Sequence, residues 1–147
     1  FVTLLDTDFT PFDSILSRFT FNALDNSSST PTRLVNISIT DNVSVDVRTN
    51  KKPRIYYKKT TDANVFGDNN SSFNGWKWVE SNNATSPFNF TIDYSLLNGG
   101  SAIISDSIMY FVVAQDTALM SNIACVPSSG FSANSVSDIL VVPTSPL

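Results

Sequence analysis

Ser107-Ile108-Met109-Tyr110-Phe111-Val112-Val113-Ala114-Gln115-Asp116 decides the fold. The run is apolar on both faces, β-branched and aromatic at its centre, and it closes on a polar Gln-Asp pair. Periodicity alone fits a buried strand or a buried helix. The short length and the Tyr-Phe-Val-Val centre favour a strand covered on both sides. Ile108, Tyr110, Val112 and Ala114 then face one way, and Met109, Phe111 and Val113 the other. One set packs between sheets. The other must be covered by an extra strand, by the N-terminal segment or by a loop. Such a strand needs a sheet around it and a second layer over it, which is a β-sandwich.

Working outward, the neighbouring segments read as further strands. Phe88-Asn89-Phe90-Thr91-Ile92-Asp93-Tyr94 alternates strictly, with Phe88, Phe90, Ile92 and Tyr94 inward. Val35, Ile37 and Ile39 alternate with Asn36, Ser38 and Thr40, the pattern of a half-buried strand with one wet face. Ile15–Phe21, Arg54–Lys59, Trp76–Glu80 and Val136–Val142 complete the set, with Phe19 and Phe21 sharing a face. Asp25–Pro31 and the corner Leu96–Gly100 are turn signals, and 60–75 is a long polar loop. The stretch from Asp116 to Gly130 reads as irregular. About seven or eight short strands with no amphipathic helix predict an all-β, immunoglobulin-like sandwich, with a jelly roll or small barrel as the alternative. The predicted organisation is an approach segment or linker over 1–13, the sandwich over 14–142 and a C-terminal linker over 143–147. Because the chain opens on Phe1, it reads as a mature or excised piece of a longer protein.

Composition narrows the chemistry. The 147 residues suit one domain. A net charge of −4 argues against nucleic-acid binding, and no apolar stretch reaches membrane-spanning length. The basic residues gather at Arg48, Lys51, Lys52, Arg54, Lys58 and Lys59, which reads as a solvated edge strand and its turn. Histidine is absent, removing the commonest general base and zinc ligand. The lone Cys125 forms no intrachain disulfide and reads as a small buried hydrophobe. Most carboxylates fall at strand ends and in turns, where Asp binds nearby backbone N–H groups. No phosphate loop, nucleophile elbow or metal-ligand spacing is present, so the expectation is a non-enzyme.

Pro53-Arg54-Ile55-Tyr56-Tyr57-Lys58-Lys59, Asn74-Gly75-Trp76-Lys77-Trp78-Val79-Glu80 and the stretch from Ser86 to Asp116, in that order, resemble immunoglobulin-like or fibronectin-III-like modules of large secreted and cell-surface proteins of the Bacteroidetes type. The likeness covers roughly residues 33–142. It implies a fibronectin-III-like sandwich, a secreted or cell-surface location, and a non-catalytic module that spaces, displays or adheres. Its partners would be neighbouring domains of the same polypeptide. The resemblance carries over no catalytic residue.

Two binding constellations stand out. Trp76 and Trp78 are i and i+2, so their indoles share a strand face. Exposed, and joined by Tyr56 or Tyr57, they would stack sugar rings and make the chain a carbohydrate-binding module whose partner is a polysaccharide. Covered, they are core, a reading favoured by Lys77 and Glu80 as the wet positions of that strand. The second is an oxygen-rich set: no cofactor is expected, with calcium as the alternative. Asp62 and Asp68 lie in an oxygen-rich loop without EF-hand spacing, and Asp41, Asp93 and Asp116 fall at strand ends where they could form a separate site between modules. Asx-turns without metal are the favoured reading of either group.

Overall fold

The structure, a computed structural model, describes residues 13, 15–22, 24–27 and 32–126. Seven strands form two antiparallel sheets: β1 (Arg18–Thr20), β2 (Thr32–Thr40), β3 (Arg54–Lys59), β4 (Lys77–Glu80), β5 (Phe88–Asp93), β6 (Ile108–Gln115) and β7 (Ile123–Val126). One sheet has the order β1-β2-β5, the other β4-β3-β6-β7. The helical content among the described residues is a single 3-10 turn, Tyr94–Leu96, whose Ser95 amide is capped by the Asp93 carboxylate. No helix among these residues is long and apolar enough to cross a membrane.

The alternation read in β2 and β5 fixes which face is buried. Val35 pairs with Phe90 and Ile37 with Phe88, and all four rest in the core between the sheets. Ile55, Tyr57, Val112 and Ala114 meet them from the facing sheet. Tyr57 donates its hydroxyl across the gap to the Asp93 carbonyl at 2.7 Å, so this large ring is buried without an orphaned O–H. Burial pushes its phenol well above the usual tyrosine range. Gly99 and Gly100 turn the corner before β6 at φ +84° and +75°, a region where a side chain is strained.

The two faces of β6 divide as the sequence predicts. Ile108, Tyr110, Val112 and Ala114 belong to the inter-sheet core, whereas Met109, Phe111 and Val113 belong to a second cluster on the outer face. The cover over that outer face is the 60–76 loop, which brings Phe66 and Trp76 onto Tyr56 and Phe111. A loop poor in apolar residues achieves this by being pinned at its backbone. Trp76 N–H donates to the Val65 carbonyl at 2.9 Å. The Asn69 side chain takes the Trp78 N–H at 2.9 Å and gives a hydrogen bond to its carbonyl at 3.0 Å. One side-chain amide thus stands in for a neighbouring strand on the open edge of β4.

Three expectations are corrected. β3 lies between β4 and β6 and is no edge strand, so Arg54, against Trp78 and Glu80 of β4, and Lys58, under the loop, are buried instead of solvated. Lys77 is fully buried, not a wet position, because the loop supplies the Phe73 carbonyl as its acceptor. Ile123–Val126, read as irregular, is a strand against β6 that places Cys125 in the outer cluster as a small buried hydrophobe. The strand expected over 136–142 and the linker over 143–147 lie outside the described residues, as do residues 1–12 of the approach segment.

Candidate functional site

The aromatic constellation is largely internal. Trp76 is 4% exposed and Tyr56 3%. Tyr56 stacks on Phe111 at 4.9 Å between centroids, and Trp76 meets Phe111 edge-on at 5.0 Å. The Trp76 indole N–H donates to Asn64 Oδ1 at 2.9 Å. Trp78 is half-buried with the Arg54 guanidinium 3.9 Å above its ring, and Arg54 in turn bonds Glu80 at 3.0 Å. Tyr57 points to the opposite face, into the core. The structure therefore keeps Trp76, Trp78 and Tyr56 on one face, as their register demands, but offers them no open stacking surface. The loop and Arg54 already occupy the rings.

Two lysines lie beneath the same loop. Lys58 Nζ donates to the carbonyls of Asp62, at 2.9 Å, and Lys59, and sits 5.4 Å from the Trp76 ring centre. Lys77 Nζ donates to the Phe73 carbonyl and lies 4.7 Å from the Phe73 ring. Burial pushes both ammoniums below the usual lysine range, partly opposed by the Asp62 charge. Their hydrogen bonds are spent on loop carbonyls, so they read as pins holding the cover.

The Asp62 and Asp68 expectation separates on folding. Asp62 is buried and accepts from the Lys59 amide at 3.1 Å and from Asn98, whereas Asp68 is exposed. Asp93 is engaged at the 3-10 turn, accepting from Ser95 N–H at 2.8 Å. Asp41 and Asp116 do come together, and Asp13 joins them. One carboxylate oxygen from each lies within 4.8 Å of the other two, and this is the one three-carboxylate group of its kind among the described residues.

The topology explains the convergence. β2 and β6 end at the same pole of the sandwich where β1 begins, so Asp41, Asp116 and Asp13 arrive there from both sheets. Each is held by local bonds. Asp41 accepts from Val43 N–H at 3.0 Å and from the Ser17 hydroxyl at 2.9 Å. Asp116 is fully buried; its Oδ1 accepts from Ala118 and Asn122 amides, and its Oδ2 from the Asn122 side chain at 2.9 Å. Asn122 also donates to the Asp13 backbone carbonyl at 2.6 Å, tying the segment before β1 to the β6–β7 loop. Asp13 Oδ1 accepts from Ile15 N–H at 2.9 Å, while its Oδ2 is buried without any hydrogen-bond partner. Sequence reading missed Asp13 and Asn122: 109 residues separate them, and nothing local marks either as belonging to the site.

A groove of about 690 Å³ lies elsewhere, between Leu24–Ser27 and Ala102–Ser107, with Ile103 and Ile104 exposed at its rim. Its Asp106 is paired with Lys59 at 3.2 Å and accepts from the Ile103 amide. Comparison with known proteins finds no matching family model, no matching curated protein and no matching solved structure.

Proposed function

We propose that the chain is a non-catalytic, fibronectin-III-like sandwich module of a larger exported bacterial protein, where it acts as a spacer, display or adhesion unit. The observation that carries this reading is the direction of the chain through the fold. Asp13 lies at the pole where β1 begins, and β7, antiparallel to β6, runs from that pole toward the other. A nine-residue strand such as β2 spans about 30 Å, and a module entered at one pole and left toward the other would add up to that length to a multidomain chain. The sheet orders β1-β2-β5 and β4-β3-β6-β7 support the immunoglobulin-like type, because β5 crosses back to pair with β2 in the manner of a Greek key. The sequence resemblance supports export.

The test is small-angle scattering of the chain carrying a compact reporter domain at each end. A spacer holds the reporters on opposite sides of the sandwich, giving two resolved inter-domain distances. Reporters in mutual contact would refute the spacer geometry. Retention on an insoluble polysaccharide together with a change in tryptophan emission would replace the reading with carbohydrate binding through the Trp78 face.

A further inference from the structure

We propose that Asp13, Asp41 and Asp116 form a calcium site that staples the two sheets together at the pole where β1 begins. The inference is independent of the module's role. Two observations carry it. The first is the convergence of three carboxylates within 4.8 Å. None of them takes part in the ion pairs of the described residues, which are Arg48–Asp46, Arg54–Glu80 and Lys59–Asp106. Like charges this close repel, and no side-chain cation among the described residues is within ion-pair reach to offset them. The second observation is Asp13 Oδ2, whose exposed area is below 1 Å² and which has no hydrogen-bond donor. Buried carboxylate oxygens are ordinarily paired, and one without a donor in an acidic cluster has its lone pairs free to coordinate a cation.

The donor chemistry selects the ion. The ligands are carboxylate oxygens alone, which suit hard cations and exclude a soft-metal site. Mg²⁺ keeps most of its waters and is held by one or two carboxylates, whereas Ca²⁺ takes several protein oxygens in flexible geometry, so three converging carboxylates favour Ca²⁺. The hydrogen bonds already present do not consume the site. Asp41 accepts one at each oxygen, Asp13 one at Oδ1 alone, and Asp116 is oriented by Asn122 and Ala118, so each carboxylate keeps lone pairs free. The bound ion would join the segment preceding β1, the end of β2 and the end of β6, which belong to different sheets.

The experiment is thermal unfolding of the full chain in chelator, in 10 mM CaCl₂ and in 10 mM MgCl₂, with calorimetric Ca²⁺ titration of the wild type and Asp13→Asn. The asparagine keeps an oxygen for the Ile15 amide and removes the bare charge, so folding is preserved where Asp116→Asn would disturb three hydrogen bonds. Calcium is expected to raise the wild-type Tm by roughly 5–10 °C, the size for a ligand well above its Kd, and magnesium to raise it much less. In Asp13→Asn the calcium shift is lost, while the Tm in chelator equals or exceeds that of the wild type because the repulsion is relieved. No calcium shift and no binding heat in the wild type, or an undiminished shift in Asp13→Asn, overturns the proposal. Equal shifts with both ions overturn the choice of calcium.

Discussion

Replacing Phe111 by Ala tests whether the 60–76 loop is structural cover for the outer face of β6. Phe111 is 1% exposed and lies among three other rings: Tyr56 stacked at 4.9 Å, Trp76 edge-on at 5.0 Å and Phe66 edge-on at 6.3 Å. Its truncation removes a ring from a site that only the loop closes. Phe→Ala at a buried position costs about 3–5 kcal/mol, and three ring contacts place this one near the middle or above, about 4 kcal/mol. For a two-state domain with a urea slope near 2 kcal/mol/M, the midpoint falls by about 2 M. The thermal midpoint falls by roughly 12 °C. The assay is urea unfolding followed by tryptophan emission and by far-ultraviolet circular dichroism, with coincident curves as the check on two-state behaviour. A second variant, Phe66→Ala, and the double variant localise the effect. If Phe66 is seated on Phe111, the two changes are less than additive, with a coupling on the order of 1 kcal/mol. A loss below about 1 kcal/mol for Phe111→Ala, or strict additivity, would show that the loop does not cover the sheet, and the account of the second cluster would fail.

Gly75→Ala addresses the same cover from the backbone. A Cβ at Gly75 would fall inside 3 Å of the Val65 carbonyl oxygen, the acceptor of the Trp76 amide, and of the Phe73 ring. The expected result is a loss of about 1–3 kcal/mol with red-shifted tryptophan emission, and unchanged stability would mean the close approach is not needed. Asp46→Asn tests a buried carboxylate in the β2–β3 connection, bonded to Arg48 and to Gln115 at the end of β6. Burial disfavours the ionised Asp46, but the side-chain and backbone hydrogen bonds from Arg48 outweigh it and hold the carboxyl below the usual aspartate range. A lowered folded pKa contributes stability that is present above the unfolded value, about 3.9, and is lost as pH falls through the folded value. Wild type should therefore be the more stable at pH 7, with the gap closing toward pH 3. A pH-independent gap in urea midpoints would remove the ionic explanation.

How far the fold was legible follows from which interactions are periodic. Alternation in Val35–Ile39 and Phe88–Ile92 reports a face, because one slip of register would expose every member of the set. β6 was legible for the opposite reason: both faces are apolar, so both must be covered. What the sequence left open was the identity of the cover. The 60–76 segment carries Phe66, Phe73 and Trp76 among Asp, Asn, Ser and Gly residues, so local composition reads as a solvated loop. Its position is set by hydrogen bonds accepted by the side-chain oxygens of Asn64, Asn69 and Asn74, and such pairings have no period. The misreading of Lys58 and Lys77 as solvated has the same origin. A lysine is read as exposed until something shows where its ammonium finds oxygen, and here the oxygens are backbone carbonyls of the covering loop. Ile123–Val126 escaped because four residues are too few for a pattern.

The acidic pole shows why the candidate site was half legible. Asp41 and Asp116 each follow the last residue of a strand, and a strand end is a predictable place for an Asx-turn, which both residues make. Local chemistry therefore accounts for their presence without any ion. Their proximity is a property of topology: β2 and β6 belong to different sheets and end at the same pole. Asp93 satisfies the same local rule at the end of β5 and is excluded only because β5, antiparallel to β2, begins at that pole and ends away from it. Strand direction is thus the variable that sorts strand-end aspartates into those that can share a ligand and those that cannot. Asp13 adds what the turns cannot explain. Its Oδ1 makes the local Asx bond to Ile15, and its Oδ2 is carried into a buried position where no turn places a donor. The bare oxygen therefore separates a site from a coincidence of turns. Asn122 links the Asp13 carbonyl to the Asp116 carboxylate, so the segment before β1 is fixed to the β6–β7 loop even before any ion is considered.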